Sequence, residues 1–499
     1  MTETKNQQLD RIFTPRGIAV FGGINRPGAF GNLIALSLIR YGYPGKLYPI
    51  SSKGGELNNH TIYKRIEDVD GPIDLASISV PAKFVPKVLR ACLRQGVTGA
   101  QIHSSGFAET GTPEGIALQE EVAAIAREGI RVVGPNCFGI HSPRGGVTLL
   151  PGSDFSKEPG SLAMLSQSGG VATDFGYEAR LAGIHLSKMV SFGNGCDLDA
   201  ITLLDYLSTD SETDVIAAYL EGVTDGQQFL KTVRRVTREK PIVIWKAGLT
   251  PAGNRATQSH TASLAGDAKI WEGVLRQGHV IPVQGLDELM DALVALKYLK
   301  KPGSRIALLG GGGAIGVFSC DLSHRSGLTL DAFSSATQKR LRQFYPTPGN
   351  SMQNPLDTGS PVVPAEVIEN SLEVILDSEP VDILIMVFLL RPLEVEVRSF
   401  MEMAGVPAGL PGTYLEEMLP VLERLKKKSN KEIIAVFENH ATTIEDVDVE
   451  KTSRILRKAY QSRGIPVFPN VERALRGVRH AAADTSWRSK FVNTVKDAP

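Results

Sequence analysis

The stretch GIAVFGGINRPGAFG, residues 17–31, decides the fold of the amino-terminal part of this chain. An apolar run of strand length leads directly into a glycine-rich turn, and a second apolar segment follows. Its glycines Gly22, Gly23, Gly28 and Gly31 would let the backbone approach a phosphate closely at a helix amino terminus. Their spacing differs from the G-x-G-x-x-G of dinucleotide-binding turns. The stretch therefore predicts the first strand and turn of a doubly wound fold and leaves the ligand undecided.

Alternating strand and helix patterns extend outward from this stretch over residues 16–140. Short apolar runs alternate with amphipathic segments, an order typical of parallel βαβ units in a doubly wound sheet. The predicted strands are GIAVFGG, GKLYPI, LASISVP, TGAQIHSS and IRVVGPN. We expect one α/β domain over residues 1–145, with the Pro- and Gly-bearing segment 143–161 as the linker after it.

Two later blocks repeat one order of a strand, a small-residue turn, a helix, a glycine and a second strand. The first block begins SLAMLSQSGG at Ser161, and the second begins RIALLGGGGAIG at Arg305. We expect two similar α/β domains at 160–297 and 303–480, although any two βα units can share this outline by chance. The segment KKPGS would be the hinge between them, and residues 481–499 a loosely held tail.

Composition excludes several classes of function. The 499 residues hold 54 Lys plus Arg and 54 Asp plus Glu, which gives no electrostatic reason to expect nucleic acid or a membrane as a partner. The apolar run VDILIMVFLL, 381–390, is about half a membrane span and contains Asp382, so it predicts a buried parallel strand. Four scattered cysteines form neither a metal spacing nor a disulfide framework, and no signal peptide is recognised, so we expect a cytoplasmic location.

A lysine, rather than an acidic residue, follows the second predicted strand. In NAD enzymes this strand ends with a carboxylate that binds the ribose hydroxyls, whereas here the sequence reads YPISSKGGE with Lys53. A lysine in this position suits a phosphorylated ribose, as in CoA or NADP. A surface lysine in a turn fits the spacing equally well, so the residues alone leave both interpretations open.

The ordered motifs of the chain resemble those of one enzyme superfamily. GIAVFGGINRPGAFG, YPGKLYPISSKGGE, PIDLASISVPA and IRVVGPNCFGI are similar to the CoA-binding domain of the NDP-forming acyl-CoA synthetases. The resemblance continues through SQSGG, SFGN, YLEGV, KAG, SHTASLAG and NPLDTG, and it is greatest for the α subunit of the ADP-forming acetyl-CoA synthetase type. It implies a Rossmann-like CoA-binding domain at 1–145, a flavodoxin-like ligase domain with a phosphohistidine loop at 160–297, and a second flavodoxin-like domain at 303–480.

The resemblance implies a set of CoA contacts in the first domain. Carried over motif by motif, these contacts are Gly22, Asn25, Arg26, Lys53, Val80, Pro81, Ile102 and Ser104. Relatives read G-A-S where this chain reads Gly22-Gly23-Ile24, so one hydroxyl that would contact phosphate is missing here. Cys137, in GPNCFG, matches a cysteine near the active site of relatives, and a buried structural thiol explains it equally well.

A single histidine, His260, lies in the stretch NRATQSHTASLAGD, 254–267, among small and hydroxyl residues and without a cysteine or a second histidine. Taken alone, it suggests a helix-capping loop with an incidental exposed imidazole. The resemblance implies instead a phosphoryl carrier, since relatives phosphorylate the histidine of S-H-T-G-S-L-A-G, in which this chain has Ala262 for the glycine. A neutral imidazole is nucleophilic near pH 7, and the absence of neighbouring ligands argues against a metal.

Two helix amino termini are expected to hold the phosphoryl group, because their backbone N–H groups bind anions and small residues admit phosphate oxygens. The phosphate contacts predicted from SQSGG and SHTASLAG are Ser166, Ser168, Gly169, Gly170, Thr261 and Ser263, with one helix starting directly after His260. Glu221, in AAYLEGV, matches the glutamate that orients the imidazole, and a strand-end surface carboxylate is the alternative. Asn194, in SFGNG, is either a contact to the phosphate or acyl group or a turn residue.

No segment resembles the ATP-grasp module that binds ATP or ADP and Mg²⁺ in this superfamily, and GGGGAIG, 310–316, lacks the Lys-Ser/Thr of a P-loop. The resemblance therefore implies an acid–thiol ligase that joins a small carboxylic acid to coenzyme A with formation of ADP and phosphate. It also implies a separate ATP-grasp β subunit in an α2β2 hetero-oligomer. The acid, the choice between ADP and GDP and the physiological direction are not determined by these residues.

Two other classes of function stay open. A non-catalytic CoA-binding regulator of the same fold would keep the first domain but need not keep His260, Glu221 and SQSGG together. A nicotinamide-dependent oxidoreductase would need an acidic residue near Lys53, and none ends that strand.

Overall fold

The computed structural model describes residues 5–150, 152–261, 266–345, 349–360, 363–396, 403 and 411–496. Strands and helices alternate along most of these residues, as expected for an α/β protein. The chain divides into two compact structural units, Met1–Leu289 and Met290–Pro499. The boundary between these units lies within a helix, Leu286–Tyr298. Among the described helices, none is long and apolar enough to cross a membrane.

A parallel sheet of five strands forms the amino-terminal domain of the first unit. The strands of this sheet are β1 (Gly17–Phe21), β2 (Lys46–Ile50), β5 (Leu75–Ile78), β6 (Gly99–Ile102) and β7 (Arg131–Val133). Two further strands, β3 (Gly55–Leu57) and β4 (His60–Ile62), form a separate antiparallel hairpin between β2 and β5 in the chain. The helices are α1 (Lys5–Phe13), α2 (Phe30–Tyr41), α3 (Val85–Arg94) and α4 (Pro113–Arg127). The order β2-β1-β5-β6-β7 confirms the five predicted strands and places β1 between β2 and β5. The carboxyl ends of β1 and β5 therefore border a topological switch point, where doubly wound sheets bind ligands.

A buried carboxylate joins the start of this sheet to the amino-terminal helix. Asp74, directly before β5, has a side chain only 1% exposed, and it accepts hydrogen bonds from Arg11 and from the backbone and guanidinium of Arg16. Burial opposes ionisation of this carboxyl, but the hydrogen bonds from the two arginines outweigh it and lower the pKa of Asp74 to about 2. Asp74 therefore stays ionised and holds α1 and β1 together.

A second sheet of six strands follows in the same unit. Its strands are β8 (Gly139–His141), β9 (Leu162–Ser166), β10 (Leu186–Ser191), β11 (Val215–Leu220), β12 (Ile242–Lys246) and β13 (Ile281–Val283), in the order β13-β12-β11-β9-β10-β8. The helices are α5 (Gly169–Leu181), α6 (Ala200–Thr209), α7 (Gly226–Glu239), α8 (Pro251–Thr261) and α9 (Ala268–Gln277), and the next helix, α10 (Leu286–Tyr298), contains the boundary to the second unit. Strand β8 pairs antiparallel with β10, although it precedes the predicted linker. The linker is itself partly core, since Leu149 and Phe155 are buried.

The second unit contains a parallel sheet of four strands. These strands are β14 (Ile306–Gly310), β15 (Ile383–Leu389), β16 (Glu432–Glu438) and β17 (Val467–Phe468), hydrogen-bonded in that order. The helices are α11 (Gly312–Arg325), α12 (Ser335–Leu341), α13 (Ala365–Ser378), α14 (Pro411–Ser429), α15 (Val447–Ser462) and α16 (Val471–Lys496). The run VDILIMVFLL contains β15, whose first six residues are buried, which confirms the predicted parallel strand.

Two expectations for this unit were wrong. The second strand of the block that begins at Arg305 was expected at LTLDAF, 328–333, but this segment forms no strand, and only Thr329 makes a bridge, to Arg305. The side chain of Asn354 occupies the edge of β14 instead, accepting from the Leu308 amide at 3.0 Å and donating to the Ile306 carbonyl at 2.7 Å. Residues 481–496 are not a loose tail but continue α16, because Ala481 and Asp484 extend its buried face.

The predicted hinge KKPGS is anchored within the second unit. The backbone amides of Lys300 and Lys301 both donate to one carboxylate oxygen of Glu432, at 2.7 and 2.9 Å. Glu432 begins β16, so this segment is fixed to the sheet rather than suspended between domains.

Candidate functional site

Four loops meet at the carboxyl edge of the first sheet. Because β1, β2, β5 and β6 are parallel neighbours, the residues that follow them lie along one edge. The predicted contacts that these loops contribute are Gly22, Asn25 and Arg26 after β1, Lys53 after β2, Val80 and Pro81 after β5, and Ser104 after β6. The structure thus brings these sequence-predicted residues to one edge of one sheet.

The turn after β1 is tightly packed and requires glycine. Gly22 has φ of +112°, and a Cβ atom there would collide with the carbonyl oxygen of Ser79. A Cβ atom at Gly31, at the start of α2, would collide with the carbonyl oxygen of Gly22. These two glycines are therefore required by packing within the protein, whereas a Cβ atom at Gly28 would meet no atom within 4 Å. The neighbouring Ile24 is buried in the core.

The Asn25 side chain holds the turn that presents Lys53. Its amide nitrogen donates to the carbonyl of Gly54 at 2.9 Å, and Lys53 itself is exposed. A long, exposed cation beside a glycine-rich turn can reach a phosphate without being buried. The residues present here fit a phosphorylated nucleotide such as CoA.

Ile102, another predicted CoA contact, is fully buried in the hydrophobic core at the end of β6. Its carbonyl oxygen accepts from the Cys137 thiol, so a contact of Ile102 with CoA stays a prediction. The hydroxyl of Ser104, two residues later, donates to the carbonyl of Val80 and ties the loops after β6 and β5 together.

Cys137 is a buried thiol in this structure. Its sulfur donates to the carbonyl oxygens of Ile102 and Val133, at 3.3 and 3.6 Å, and burial raises its pKa to about 12. A thiol protonated at neutral pH is a poor nucleophile, so the geometry favours the structural interpretation of this cysteine.

The SQSGG motif forms the start of α5, as predicted. Ser168 is the capping residue, and its hydroxyl accepts from the Val171 amide at 3.4 Å. The hydroxyl of the buried Ser166 donates to the Ser168 carbonyl at 2.6 Å, which closes the turn. The backbone amides of Gly169 and Gly170 belong to the first turn of α5, where N–H groups without intrahelical acceptors can bind an anion.

Glu221 lies beside this helix start, at the carboxyl end of β11. It is buried, with only 5% of its surface exposed, so the alternative of a surface carboxylate was wrong. The Gln167 side chain, from the SQSGG turn, accepts hydrogen bonds from the backbone amides of Glu221 and Gly222. Since β11 and β9 are parallel neighbours, the carboxylate and the amino terminus of α5 emerge at the same edge of the second sheet.

The helix near His260 starts earlier than the sequence suggested. Helix α8 runs over Pro251–Thr261, so His260 lies in its last turn rather than before a helix. The start signal was the preceding TP: Pro251 occupies the first helical position, and the Thr250 hydroxyl accepts from the Gly253 amide at 3.0 Å. The next helix, α9, begins after Asp267, whose carboxylate caps it. The side chains of His260 and Thr261 and all of Ser263 lie outside the described residues.

Helix α8 lies close to the first domain. Its backbone approaches the short turn Ala108–Thr110, which belongs to the loop after β6. The helix that contains His260 and the loop that contains Ser104 are therefore neighbours in the first unit.

Asn194 makes the contacts of a turn residue that joins the two domains of this unit. Its side-chain amide donates to Glu109 at 2.6 Å and to Gln119 at 2.8 Å, and its backbone amide donates to the Pro135 carbonyl at 3.0 Å. These bonds favour the turn interpretation over a direct contact with phosphate.

A cavity of about 350 Å³ lies in the second unit, beside residues 310–313 at the carboxyl ends of β14 and β15. Its described lining includes the carboxylate of Asp357 and the apolar side chains of Met386 and Phe388, and no lysine, arginine or histidine. A site for nucleotide phosphates would normally offer cations. The glycine-rich turn there thus does not resemble a nucleotide site.

Lys246, the last residue of β12, was not predicted as part of the site. It is 5% exposed, and its ammonium group donates to the backbone carbonyl of Glu221 at 2.8 Å. The sequence signal was the strand IVIWK, in which a charge ends an otherwise apolar strand.

Two family models match the chain. A CoA-binding domain matches residues 16–143, and a succinyl-CoA ligase-like flavodoxin domain matches residues 159–296.

Named relatives cover nearly the whole chain. The α subunit of ADP-forming acetate–CoA ligase I from Pyrococcus furiosus is 32% identical over 489 residues, which are 97% of this chain and 99% of that protein. ADP-forming acetate–CoA ligase I from Archaeoglobus fulgidus is 33% identical over 91% of this chain and 68% of its own. A solved structure of dinucleotide-forming acetyl-coenzyme A synthetase 1 from Ca. Korarchaeum cryptofilum, in complex with phosphate and ADP, has a TM-score of 0.80 to this chain at 29% identity. The match covers 98% of this chain and 99% of that one.

Proposed function

The chain belongs to the family of ADP-forming acetyl-CoA synthetases, as a counterpart of their α subunit, and on this premise we propose that it is the CoA-binding and phosphohistidine-carrying subunit of an ADP-forming acyl-CoA synthetase. The observation on which the proposal rests is the shared sheet edge of Glu221 and the amino terminus of α5. This edge combines a buried carboxylate with an anion-binding helix start, and the chain continues from the neighbouring strand β12 into the helix of His260.

The reaction is an exchange of one phosphoryl group between three acceptors. In the direction of acyl-CoA breakdown, an oxygen of inorganic phosphate attacks the thioester carbonyl carbon, the C–S bond breaks and CoA leaves as the thiol. The imidazole of His260 then attacks the phosphorus of the acyl phosphate, the P–O bond to the acyl group breaks and the carboxylate is released. Transfer of the phosphoryl group to ADP completes the cycle, and synthesis runs in reverse.

The His260 imidazole has two ring nitrogens, and one of them receives the phosphoryl group. The carboxylate of Glu221 is proposed to accept a hydrogen bond from the N–H of the other nitrogen. That hydrogen bond fixes the tautomer, leaving the opposite nitrogen with its lone pair toward phosphorus. The backbone amides of Gly169 and Gly170 would donate hydrogen bonds to the oxygens of the phosphoryl group. Its charge of about two negative units needs several such donors.

The first domain is proposed to bind CoA at the edge formed by Gly22, Val80, Pro81 and Ser104, with Arg26 and Lys53 toward the phosphates of its adenosine end. Asn25 acts there by holding the Lys53 turn. ATP or ADP, with Mg²⁺, is proposed to bind to an ATP-grasp β subunit, in an α2β2 assembly. The ordered set of motifs and the relatives named as α subunits support this division of labour.

Phosphoenzyme labelling tests the proposal. Incubation with ³²P-labelled acetyl phosphate or another acyl phosphate should label the chain on one site that is labile in acid and stable in base. His260→Ala should abolish the label and leave CoA affinity unchanged, whereas Glu221→Gln should slow labelling by a large factor. A non-catalytic CoA-binding regulator would bind CoA without becoming labelled. Acid-stable label, or label on a serine, would refute the assignment of His260.

A further inference from the structure

Lys246 is a buried cation that the proposed chemistry does not yet use. It ends β12, and only 5% of its surface is exposed. Transfer of an ammonium group out of water costs several kcal/mol unless hydrogen bonds and an opposite charge offset it. Its surroundings should therefore reveal what stabilises the charge.

The ammonium group contacts main-chain oxygens and an aromatic face. It donates to the backbone carbonyl of Glu221 at 2.8 Å and to that of Ala247, and it lies 4.8 Å from the centre of the Trp271 ring. Burial lowers the pKa of Lys246 to about 8, and the negative charge of Glu221 opposes that shift. Most Lys246 side chains are thus cationic at neutral pH, and Glu221 is the charge that favours this state.

The peptide units on both sides of Glu221 are held by side chains of neighbouring strands. On one side, Gln167, which follows β9, accepts from the backbone amides of Glu221 and Gly222. On the other side, Lys246 from β12 donates to the backbone carbonyl of Glu221. Because β11 lies between β9 and β12, these contacts fix the strand end from both flanks.

We propose that Lys246 is a positioning residue for Glu221: it fixes the peptide unit that bears the carboxylate and places a buried positive charge at the end of the neighbouring strand. This inference rests on the proposed role of Glu221 in orienting the His260 imidazole. A carboxylate that must hold one imidazole tautomer needs a defined place, and the hydrogen bond from Lys246 to the Glu221 carbonyl supplies it on one flank. The role that we assign to Lys246 acts through Glu221 and requires no contact with the reacting atoms.

The test combines two substitutions of Lys246 with a double-mutant cycle. Lys246→Met keeps the length of the side chain and removes the charge, and it should slow the acid-labile labelling of the chain by acyl phosphate about tenfold to a hundredfold. Lys246→Arg keeps the charge and should retain labelling to a much larger extent than the methionine variant. CoA affinity, measured by calorimetry, should stay the same in both variants.

The cycle with Glu221→Gln separates positioning from general destabilisation. If Lys246 acts through Glu221, adding Lys246→Met to Glu221→Gln should slow labelling by less than about twofold, since the two effects are not additive. Independent, multiplying losses would overturn the proposal, and so would a methionine variant that is labelled at the wild-type rate. If Lys246→Met does not fold, the same cycle is measured with Lys246→Arg. The role is contradicted if the arginine variant folds and binds CoA but its labelling rate falls by the same factor in the wild-type and in the Glu221→Gln background.

Lys188 offers a matched control. It is another buried lysine of the same sheet, 4% exposed, with Asp210 and Glu212 each 2.8 Å from its ammonium group. Lys188→Met should lower the thermal stability and leave the labelling rate of the folded protein unchanged. Absence of label in the wild-type chain would instead refute the proposed function itself, so the two failures are distinguishable.

Discussion

The side-chain amide of Asn194 donates to the Glu109 carboxylate at 2.6 Å, and this bond joins the turn after β10 to the loop after β6. The other carboxylate oxygen of Glu109 accepts from the backbone amides of Gly106 and Phe107, at 2.6 and 3.1 Å. One carboxylate thus satisfies donors from both domains of the first unit. It shapes the loop that contains Ser104, near the helix of His260.

We predict that Glu109→Gln lowers the free energy of unfolding by about 1–3 kcal/mol, because the introduced NH₂ group must face one of these donors. Urea denaturation of the first-unit transition measures the loss. The CoA affinity should fall with it, since the loop of Ser104 loses its anchor. Glu120→Gln, at an exposed position of α4, is the control and should change neither quantity. An unchanged urea midpoint in Glu109→Gln would show that the contact contributes nothing.

Lys53 should discriminate between CoA and dephospho-CoA. Its turn is fixed by Asn25, and its side chain is exposed toward the edge at which the predicted CoA contacts lie. Loss of an exposed charge pair costs about 1 kcal/mol, or roughly fivefold in affinity. Calorimetry should therefore show tighter binding of CoA, and Lys53→Ala should remove most of the difference.

Lys46→Ala is the matched control for Lys53, because Lys46 is an exposed lysine at the opposite end of the same strand region, where β2 begins. It should preserve the discrimination. Equal affinity of the wild-type chain for both ligands would exclude Lys53 from the site.

Asp74 should make the stability of the chain fall in acid. Its pKa is lowered to about 2 in the folded protein, against about 3.9 in an unfolded chain. A carboxyl with a lowered folded pKa contributes stability that is complete above the unfolded pKa and is lost as the pH falls through the folded pKa. The contribution is about 2–3 kcal/mol and should disappear between about pH 4 and pH 2.

The free energy of unfolding, measured from pH 7 to pH 2 for the wild type and for Asp74→Asn, tests this prediction. The asparagine variant should be less stable near neutral pH and should converge toward the wild type in acid. Asp70→Asn, at a nearby exposed position, is the control and should follow the wild-type curve. Parallel curves for Asp74→Asn and wild type would contradict the ion-pair explanation.

The 499-residue chain alone should make no acyl-CoA from ATP, a carboxylate and CoA. His260 can exchange a phosphoryl group with acyl phosphate by means of this chain's anion site, but ATP needs a nucleotide pocket with Mg²⁺. The cavity of the second unit has no cation among its described lining residues. Addition of an ATP-grasp subunit should restore synthesis and ADP-dependent phosphoryl exchange together, and a coupled assay for ADP measures both. ATP turnover by the single chain at the rate of a working synthetase would refute the division between subunits.

Most of the architecture could be read from local patterns. Apolar runs of strand length followed by glycine, as at β1 and β9, predicted parallel strands because a strand buried on both faces tolerates few polar side chains. The capped start of α5 at Ser168 was equally local, since a serine before two glycines satisfies the first amides of a helix.

The errors arose where distant residues replaced a local pattern. LTLDAF has the composition of a strand, but the edge of β14 is satisfied by Asn354, which is remote in sequence. The helix of His260 was placed too late because the motif outweighed the stronger start signal at Pro251. Lys246 belongs to the quoted motif KAG but was not assigned to the site, because a lysine at a strand end usually reaches solvent. Its 5% exposure and its packing on Trp271 show that this one does not.

Strand β8 belongs to one domain by sequence and to another by hydrogen bonding, since Gly139–His141 pairs with β10 across the linker. A fragment cut after residue 145 would therefore retain a strand without its partner, and a fragment starting near residue 159 would display the backbone of β10 as an open edge. Open edges recruit other chains, so both halves should aggregate when expressed separately. The first two domains of this chain are consequently not interchangeable modules: recombination or domain swapping between relatives would have to exchange them together, or move the junction upstream of residue 139.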